Sequence, residues 1–200
     1  MFGRKPAERQ ARSFRKRGLR GSAKALAGLA GEVRGESVLE VGGGIGAIEI
    51  ELLEAGAARV TNIELAATYE DTARALLAER GLSERADRRV GDFVAEADAV
   101  EPHDVVVMHR VVCCYPDVEA LLGAAADRTR RRLVLTYPQQ RAWLRAGLAV
   151  VNGFLRLRGC GFRGYLHPVA GIVAAAESHG LQLERRVKHG LLWESASLAR

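Results

Sequence analysis

The stretch that decides the fold is "SVLEVGGGIGAIEIELLEAGAARVTNIEL", residues 37–65. It opens with the apolar run "SVLEV", which is typical of a short buried strand, and passes through a cluster of glycines into "AIEIELLEAG". That segment has the composition of a helix, and Gly56 is a typical helix stop. A second apolar run, "RVTNIEL", follows. This order of strand, glycine loop, helix and strand predicts a βαβ unit whose loop faces a small ligand.

The same alternation continues through most of the chain. Further strands are predicted in "ADRRVGD", "HDVVVMHR" and "RRLVLTYP", with one helical pattern before the first of them and another between the last two. The runs "DVVVM" and "LVL" are continuously apolar, as parallel strands buried on both faces should be. The last segment, "LQLERRVKHGLLWESASLA", alternates on both sides of "HG" and predicts an antiparallel hairpin. The predicted fold class is therefore α/β, with a mostly parallel sheet, helices on both faces and a C-terminal hairpin.

Basic residues are concentrated in two regions. Residues 1–34 hold ten Lys and Arg against two Glu, and residues 128–163 hold nine Arg. We predict a basic N-terminal helical cap over residues 1–35, followed by one ligand-binding domain over residues 36–200. A basic surface suits an anionic membrane, nucleic acid or an acidic small molecule, and it can also be a solvated helix face. The aromatic content of 6% does not favour stacking on single-stranded nucleic acid, so no nucleic-acid partner is predicted. Contact of residues 1–24 with an anionic membrane surface stays open as a hypothesis.

The three cysteines, Cys113, Cys114 and Cys160, do not form a disulfide framework, because their number is odd and two are adjacent. This pattern predicts a reducing, cytoplasmic setting, and no secretory signal pattern is visible. Their spacing is not that of a metal site, so no metal is predicted. Cys113 and Cys114 are expected to be buried, inert thiols behind the ligand pocket.

Two cofactors compete for the glycine loop. The residues Gly42-x-Gly44-x-x-Ala47 satisfy the dinucleotide pattern, and Glu64 lies twenty residues beyond Gly44. However, Glu40 directly before the loop would repel a pyrophosphate, whereas it suits a ligand with a cationic amino-acid end. The loop also lacks the lysine of a phosphate cradle. These features favour S-adenosylmethionine over a nicotinamide dinucleotide.

With these motifs, the chain resembles the class I S-adenosylmethionine-dependent methyltransferases over about residues 36–199. The matching motifs are Glu40 to Gly46, Glu64 in "NIEL", "VGDF" at 90–93, and "DVVVMHRVVCCYPD". The resemblance implies a Rossmann-like, seven-stranded sheet and S-adenosylmethionine as cofactor. The block "HRVVCCYPD", together with "LHP" before a late helix, is also similar to proteins grouped with magnesium-protoporphyrin O-methyltransferase.

The resemblance also implies a set of donor-binding residues. Gly42, Gly44 and Gly46 would approach the donor, with Glu40 near its methionine part and Glu64 on the ribose hydroxyls.

Further along the chain, the resemblance places Asp92 and Phe93 around the adenine. Arg110 and Val111, just after the fourth strand, would line the far side of the pocket.

Methyl transfer from a sulfonium needs an aligned acceptor and, for some acceptors, a base. His109 at the end of the fourth strand is the first candidate for that base, and Tyr115 in the next loop is the second. Tyr137 and His167 are further candidates. "HRVV" stands where amino-group methyltransferases of nucleic acids and glutamine carry an N/D-P-P-Y/F motif, and its absence argues against those acceptors.

The long amphipathic segment "QQRAWLRAGLAVVNGFLRLRG" is compatible with a core helix or with a cover over an apolar acceptor that carries an acid group. We therefore predict a methyltransferase that acts on a small molecule, with O-methylation of an acidic, aromatic or porphyrin-like acceptor as the preferred reaction. One alternative is a nicotinamide-dependent reductase, although no tyrosine has a lysine four places on. Another is a non-catalytic protein that binds the donor or nucleic acid. The sequence does not indicate an oligomeric state.

Overall fold

The computed structural model describes residues 4–200. The seven strands of its sheet are β1 (Ser37–Val41), β2 (Arg59–Glu64), β3 (Ala86–Val90), β4 (His103–His109), β5 (Thr129–Pro138), β6 (Gln182–His189) and β7 (Trp193–Ala199). The α-helices of the described residues are α1 (Arg4–Arg17), α2 (Gly21–Leu29), α3 (Ala47–Glu54), α4 (Glu70–Glu79), α5 (Phe93–Glu96), α6 (Val118–Asp127), α7 (Ala142–Leu157) and α8 (Val169–Glu177).

The strands form one sheet in the order β3-β2-β1-β4-β5-β7-β6. Every pairing from β3 to β5 is parallel, and β7 runs antiparallel to both β5 and β6. The predicted α/β class, with a Rossmann-like, seven-stranded, mostly parallel sheet and a C-terminal antiparallel hairpin, is confirmed. The strand order changes direction between β1 and β4, and ligands bind outside the carboxyl ends of the strands at such a point.

Alternating residues of the strands build two cores, one on each face of the sheet. Val38 and Val105 belong to the first core, while their chain neighbours Leu39 and Val106 belong to the second. This period of two is what a strand covered on both faces requires. α3 and α4 cover the first core, together with α1 and α2 from the N-terminal segment, and α6 and α8 cover the second. The domain boundary at residue 35 stays a prediction.

Two helices illustrate how local sequence and packing differ. Asp117 accepts a hydrogen bond from the backbone N–H of Ala120 and so caps the start of α6, as an aspartate before a helical segment favours. By contrast, α7 has an apolar side but no buried residue, so it is not the core helix that its pattern allowed. Among residues 4–200, no helix is both long and apolar enough to cross a membrane.

Candidate active site

The glycine loop joins β1 to α3 at the carboxyl edge of the sheet. Gly42 donates its backbone N–H to the carbonyl of Ile63 at 2.8 Å, which fixes the start of the loop against the end of β2. Gly42 has a φ of 69°, and a Cβ there would stand 2.6 Å from the Cγ2 of Val111. Gly44 has a φ of 57°, but nothing lies within 4 Å of a Cβ built on it. A side chain is therefore excluded by close packing at Gly42, whereas at Gly44 the backbone faces open space that a ligand can occupy.

Glu64 lies at this loop, as predicted. One carboxylate oxygen accepts the N–H of Gly44 at 2.8 Å, and the other accepts the N–H of Ala66 at 2.8 Å. Because a carboxylate oxygen can accept more than one hydrogen bond, both oxygens keep capacity for ligand hydroxyls. The arrangement fits a ribose, whose hydroxyl pair needs adjacent acceptors.

Asp92 lies beside Glu64, since the N–H of Gly91 donates to the Glu64 carbonyl at 3.1 Å. The Asp92 carboxylate accepts the N–H of Val94 at 3.0 Å and so begins α5. The side chain of Phe93, the first residue of α5, is buried in the second core and is only 4% exposed. The expectation that this ring lies beside an adenine is therefore revised.

The hydroxyl of Tyr115 lies at the same site. Its hydroxyl donates to Asp92, with 3.3 Å to each carboxylate oxygen. Burial, followed by the negative charge of Asp92, raises the pKa of Tyr115, so the phenol stays protonated at neutral pH. The catalytic role of Tyr115 stays a prediction, and the structure places its hydroxyl at Asp92. Gly42–Gly46, Glu64, Asp92, Val111 and Tyr115 together are named the loop site.

A buried carboxylate lies beneath the loop. Glu40 is 1% exposed, and its Oε2 accepts from the Nδ2 of Asn62 at 2.9 Å and from the N–H of Glu49 at 3.1 Å. Glu40 therefore supports the loop and the start of α3 from below, which revises the expectation that it faces a ligand. Burial, with the Glu49 charge second, raises the pKa of Glu40 to about 8.

Arg88 is a residue of this site that the sequence analysis missed. It extends from β3, pairs with Glu49 and Glu70, and donates to the carbonyl of Gly44 at 2.9 Å. Gly44 is thus held on both sides, with its N–H on Glu64 and its carbonyl on Arg88. Burial raises the pKa of Glu49 to about 7 despite the neighbouring guanidinium. The alternation of β3 could have indicated that Arg88 points inward, but not what it meets.

A second group of polar residues lies at the carboxyl ends of β4 and β5, beside the hairpin. The Nε2 of His109 is 3.0 Å from the hydroxyl of Ser22 on α2. Arg110 also donates to that hydroxyl at 3.1 Å, and its guanidinium lies over the ring of Trp193 at 4.3 Å. The positive charge of His189, when protonated, also acts on His109. Ser22, His109, Arg110, His189 and Trp193 are named the histidine–arginine cluster.

Arg110 was predicted to line the donor pocket, and its side chain instead joins this cluster. Its φ of 62° is rare for a residue with a side chain, and it is the only such non-glycine residue among residues 4–200. The unusual backbone turns Arg110 toward Ser22 and Trp193, whereas the next residue, Val111, packs on the glycine loop. A strained turn at the end of a strand is typical of functional sites. Of the two predicted residues, only Val111 lies at the loop site.

His109 is half-buried and poorly suited to take up a proton. Burial, and then the charge of Arg110, lowers the pKa of His109 to about 4. An arginine N–H can only donate, so the Ser22 oxygen accepts from Arg110 and its hydroxyl hydrogen is free for the Nε2 of His109. His109 is therefore neutral at physiological pH, and this nitrogen is already engaged.

The remaining candidates play structural parts. Tyr137 is fully buried, and its hydroxyl donates to Glu194 at 3.3 Å. The Nε2 of His167 lies 2.9 Å from the carbonyl of Tyr115, which joins the segment after α7 to the loop site.

The adjacent cysteines are less buried than expected. Their sulfurs are 3.7 Å apart, Cys113 is half-buried and Cys114 is exposed, so the expectation of two buried thiols is revised. Within residues 4–200, no group of three or more His, Cys, Asp or Glu side chains is placed to hold a metal ion.

The fold agrees with solved structures. Neither a protein-family model nor a curated protein sequence matches the chain. Solved structures do match, and they include S-adenosylmethionine-dependent methyltransferases. The chain has the fold of this class, as its motifs predicted.

Three of these structures illustrate the range. Magnesium protoporphyrin IX methyltransferase from Synechocystis PCC 6803, with bound S-adenosylhomocysteine, has a TM-score of 0.73 at 20% identity, over 90% of this chain and 82% of that one. Geranyl diphosphate C-methyltransferase from Streptomyces coelicolor A3(2) has a TM-score of 0.71 at 13% identity, over 90% and 78%. An S-adenosylmethionine-dependent methyltransferase from Mesorhizobium loti has a TM-score of 0.67 at 15% identity, over 88% and 96%. At these identities the likeness extends to the fold, while the acceptors of these enzymes differ.

Proposed function

We propose that the protein is an S-adenosylmethionine-dependent methyltransferase that esterifies a carboxylate on an apolar small molecule. The observation that carries the proposal is the loop site: a glycine loop open at Gly44, with Glu64 and Asp92 at the ends of the next two strands. Solved methyltransferases of the same fold contain S-adenosylmethionine or S-adenosylhomocysteine, which supports this cofactor.

The residues of the loop site fit the parts of that cofactor. Glu64 offers adjacent acceptors for the ribose hydroxyls, and Asp92 can accept from the adenine amino group. The open backbone at Gly44 leaves room for the amino-acid part. When bound, S-adenosylmethionine supplies an electrophilic methyl group on a sulfonium. The chain itself has to align the acceptor with that methyl group and keep water away.

The histidine–arginine cluster supports a carboxylate as the acceptor. An alcohol or phenol must lose a proton during transfer, and His109 is a weak base with its Nε2 engaged by Ser22. A carboxylate has a normal pKa near 4, so it arrives without its proton and needs no base. Arg110 is exposed and cationic, which suits the binding of such a group. The ring of Trp193 next to it suits the apolar part of the acceptor.

Donor binding can be tested by calorimetric titration with S-adenosylmethionine, S-adenosylhomocysteine and NADPH. We expect the two sulfur ligands to bind and NADPH not to bind. Glu64→Ala should lose at least about tenfold in affinity, because it removes the acceptors of two charge-assisted hydrogen bonds. Glu84→Ala is the matched control, since Glu84 is exposed and precedes β3 at the opposite edge of the sheet. NADPH binding, or equal affinities in both variants, would contradict the assignment.

The acceptor can be tested with radiolabelled methyl donor and a panel of apolar carboxylic acids, their alcohols and their amides. The panel includes a porphyrin, because one protein of the same fold is magnesium protoporphyrin IX methyltransferase. A methyl ester releases labelled methanol in alkali, whereas an ether or an N-methyl group does not. Label that is stable to alkali would exclude a carboxylate acceptor while leaving the donor assignment intact.

A further inference from the structure

Helix α7 is unusual among the longer helices because none of its 16 residues is buried. Its apolar side chains include Val150, which is 73% exposed, Phe154, which is 54% exposed, and Leu157, which is 89% exposed. Trp143 at the start of the helix is also exposed. These positions are spaced by seven, four and three residues, so they lie on one side of the helix. We propose that this side of α7 docks on the surface of an anionic lipid bilayer.

The opposite side of α7 is already held by the protein. The Nδ2 of Asn152 donates to the carbonyl of Gly164 at 2.8 Å, and the N–H of Gly164 donates back to Asn152 at 2.9 Å. Leu148 packs against Gly164 so closely that a Cβ there would be 2.7 Å from its Cδ1. The helix is therefore fixed with its apolar stripe toward solvent, where a partner can bind without a rearrangement of the helix.

The positive charges on α7 and in the segments that flank it indicate an anionic partner. Residues 128–176 contain nine arginines and no aspartate or glutamate. Five of these arginines lie on α7 or directly beside it, and all five are exposed: Arg141, Arg145, Arg156, Arg158 and Arg163. Within the described part of the chain, none of the five forms an ion pair. Their positive charge is available to an external anion.

A lipid surface fits both halves of this pattern. Nucleic acid or an acidic peptide would satisfy the arginines but would leave the apolar stripe in water. A second copy of the chain would cover the stripe but would bring its own arginines against these. An anionic bilayer provides acyl carbon for Trp143 and Phe154, and its negative headgroups can meet Arg158 beside Phe154 and the long arginine side chains on the flanks of the helix.

The basic helix α1 does not offer the same combination. Its apolar side chains, Ala7, Ala11 and Phe14, are buried in the first core, and Phe14 is only 6% exposed. Arg15 of α1 is paired with Glu79 at 2.6 Å. α1 can therefore attract an anionic surface by its charge but has no exposed apolar side chain to insert into a bilayer. The membrane contact is accordingly assigned to α7, and not to residues 1–24 as the sequence predicted.

The segment that leads into α7 contacts the hairpin turn beside the histidine–arginine cluster. Gln139, three residues before α7, donates its side-chain N–H to the carbonyls of Gly190 and Trp193 at 2.9 Å. The exposed Leu191 and Leu192 lie in the turn between those two residues. If the proposed function holds, an apolar acceptor could reach the cluster from the bilayer. The docking itself does not depend on that function.

Cosedimentation with vesicles tests the charge. We expect the protein to bind vesicles of phosphatidylcholine mixed with phosphatidylglycerol, and to bind phosphatidylcholine alone much more weakly. Arg145→Gln with Arg156→Gln should lower the partition coefficient about fivefold per residue at low salt. Arg9→Gln with Arg12→Gln on α1 removes the same charge from exposed positions and should have the smaller effect. No binding to either vesicle, or a larger loss in the α1 variant, would overturn the proposal.

Tryptophan fluorescence tests the apolar contact. The chain has two tryptophans, Trp143 and Trp193. Lipids brominated on the acyl chains should quench the wild type, and Trp143→Phe should remove most of the quenching while vesicle binding persists. Phe154→Ser should weaken binding, whereas Leu65→Ser, at an exposed apolar residue outside α7, should not. Thermal unfolding would check that each variant is folded. A concentration-dependent dimer sensitive to Phe154→Ser, with no vesicle binding, would instead assign the face to a second copy.

Discussion

The loop site and the histidine–arginine cluster lie at the same edge of the sheet but are built in different ways. The loop site is made by consecutive elements, and its backbone is fixed by buried charges such as the pair of Arg88 and Glu49. The cluster is assembled from distant parts of the chain, with Ser22 from α2 and Trp193 from β7 meeting Arg110 after β4. Arg110 is exposed as a residue, while its guanidinium rests on the Ser22 hydroxyl and the Trp193 ring.

Burial also shifts protonation in opposite directions in the two regions. Beneath the loop, it raises the pKa of Glu40 to about 8, so a carboxyl tends to hold its proton. In the cluster, it lowers the pKa of His109 to about 4, so a histidine stays neutral. Burial disfavours the charged form of each group, so Glu40 keeps its proton and His109 does not take one up.

The largest expected effect is on the buried charges of the loop site. Arg88→Ala leaves Glu49 and Glu70 without their shared cation, and breaking a buried pair in this way typically costs about 3–5 kcal/mol. Denaturant unfolding measures the loss. Arg89→Ala is the matched control, because the adjacent Arg89 forms an exposed pair with Asp87 and should cost less than about 1 kcal/mol. Equal losses of unfolding free energy in the two variants would mean that the buried pairs of Arg88 contribute no more to stability than the exposed pair of Arg89.

The next effect should separate the two regions in function. Arg110→Met removes the guanidinium while keeping an apolar chain over Trp193, and it should raise the KM for a carboxylate acceptor. Loss of hydrogen bonds to a charged group costs about 1.5–3 kcal/mol, or roughly tenfold to hundredfold. The affinity for S-adenosylmethionine should change less than about twofold. A larger loss of donor affinity than of acceptor affinity would return Arg110 to the donor side, where the sequence analysis had placed it.

The two regions also differ in how far sequence alone could predict them. Gly42, Gly44 and Glu64 lie within one βαβ unit, where the order of elements fixes which chain ends meet. Ser22 and Trp193 reach His109 and Arg110 only through the packing of α2 and the hairpin, which no local spacing records.

Similar reasons account for the residues whose roles were revised. The alternation of β3 could show that Arg88 points inward but not that it meets Glu49. The direction of the Tyr115 hydroxyl depends on the turn at Val112–Cys114, whose conformation the sequence does not indicate. For α7, the spacing of apolar residues predicted an apolar side of the helix, but it could not show whether the rest of the protein packs against that side.

The pH dependence of stability tests the bound proton of the loop site. Glu40 has a folded pKa of about 8, above its unfolded value, so the native state binds more protons and stability falls as the pH rises toward 8. Between pH 6.5 and 7.5 the contribution of Glu40 should fall by about 1 kcal/mol. Glu40→Gln keeps an acceptor for Asn62 and should flatten this slope, while Glu84→Gln should not. Urea unfolding at a series of pH values measures it, and an unchanged slope in Glu40→Gln would count against a protonated Glu40.

The cluster should show the opposite slope at lower pH. His109 has a folded pKa of about 4, below its unfolded value, so the unfolded state binds more protons between pH 4 and 6.5. Stability contributed by His109 therefore rises with pH across that range, by about 1 kcal/mol per unit, and is constant above it. His109→Gln should remove this contribution, whereas His179→Gln, at a surface histidine paired with Asp127, should change it much less. The same urea series tests both variants. If the His109 variant kept the wild-type slope, the histidine would be solvated and available as a base.

The smallest effect concerns the residue that was expected in one region and lies in the other. Tyr115→Phe removes a hydroxyl whose two contacts to Asp92 are both 3.3 Å, long for a hydrogen bond of this kind. We expect a loss of about 0.5–1 kcal/mol in donor binding, or roughly twofold to fivefold. The rate of methyl transfer at saturating donor should not change, because the hydroxyl does not face the acceptor. A general base at Tyr115 would behave differently, since its loss typically lowers kcat by about a hundredfold or more. Separate measurement of donor Kd and of kcat distinguishes the two, and a collapse of kcat with normal donor affinity would place Tyr115 with the acceptor after all.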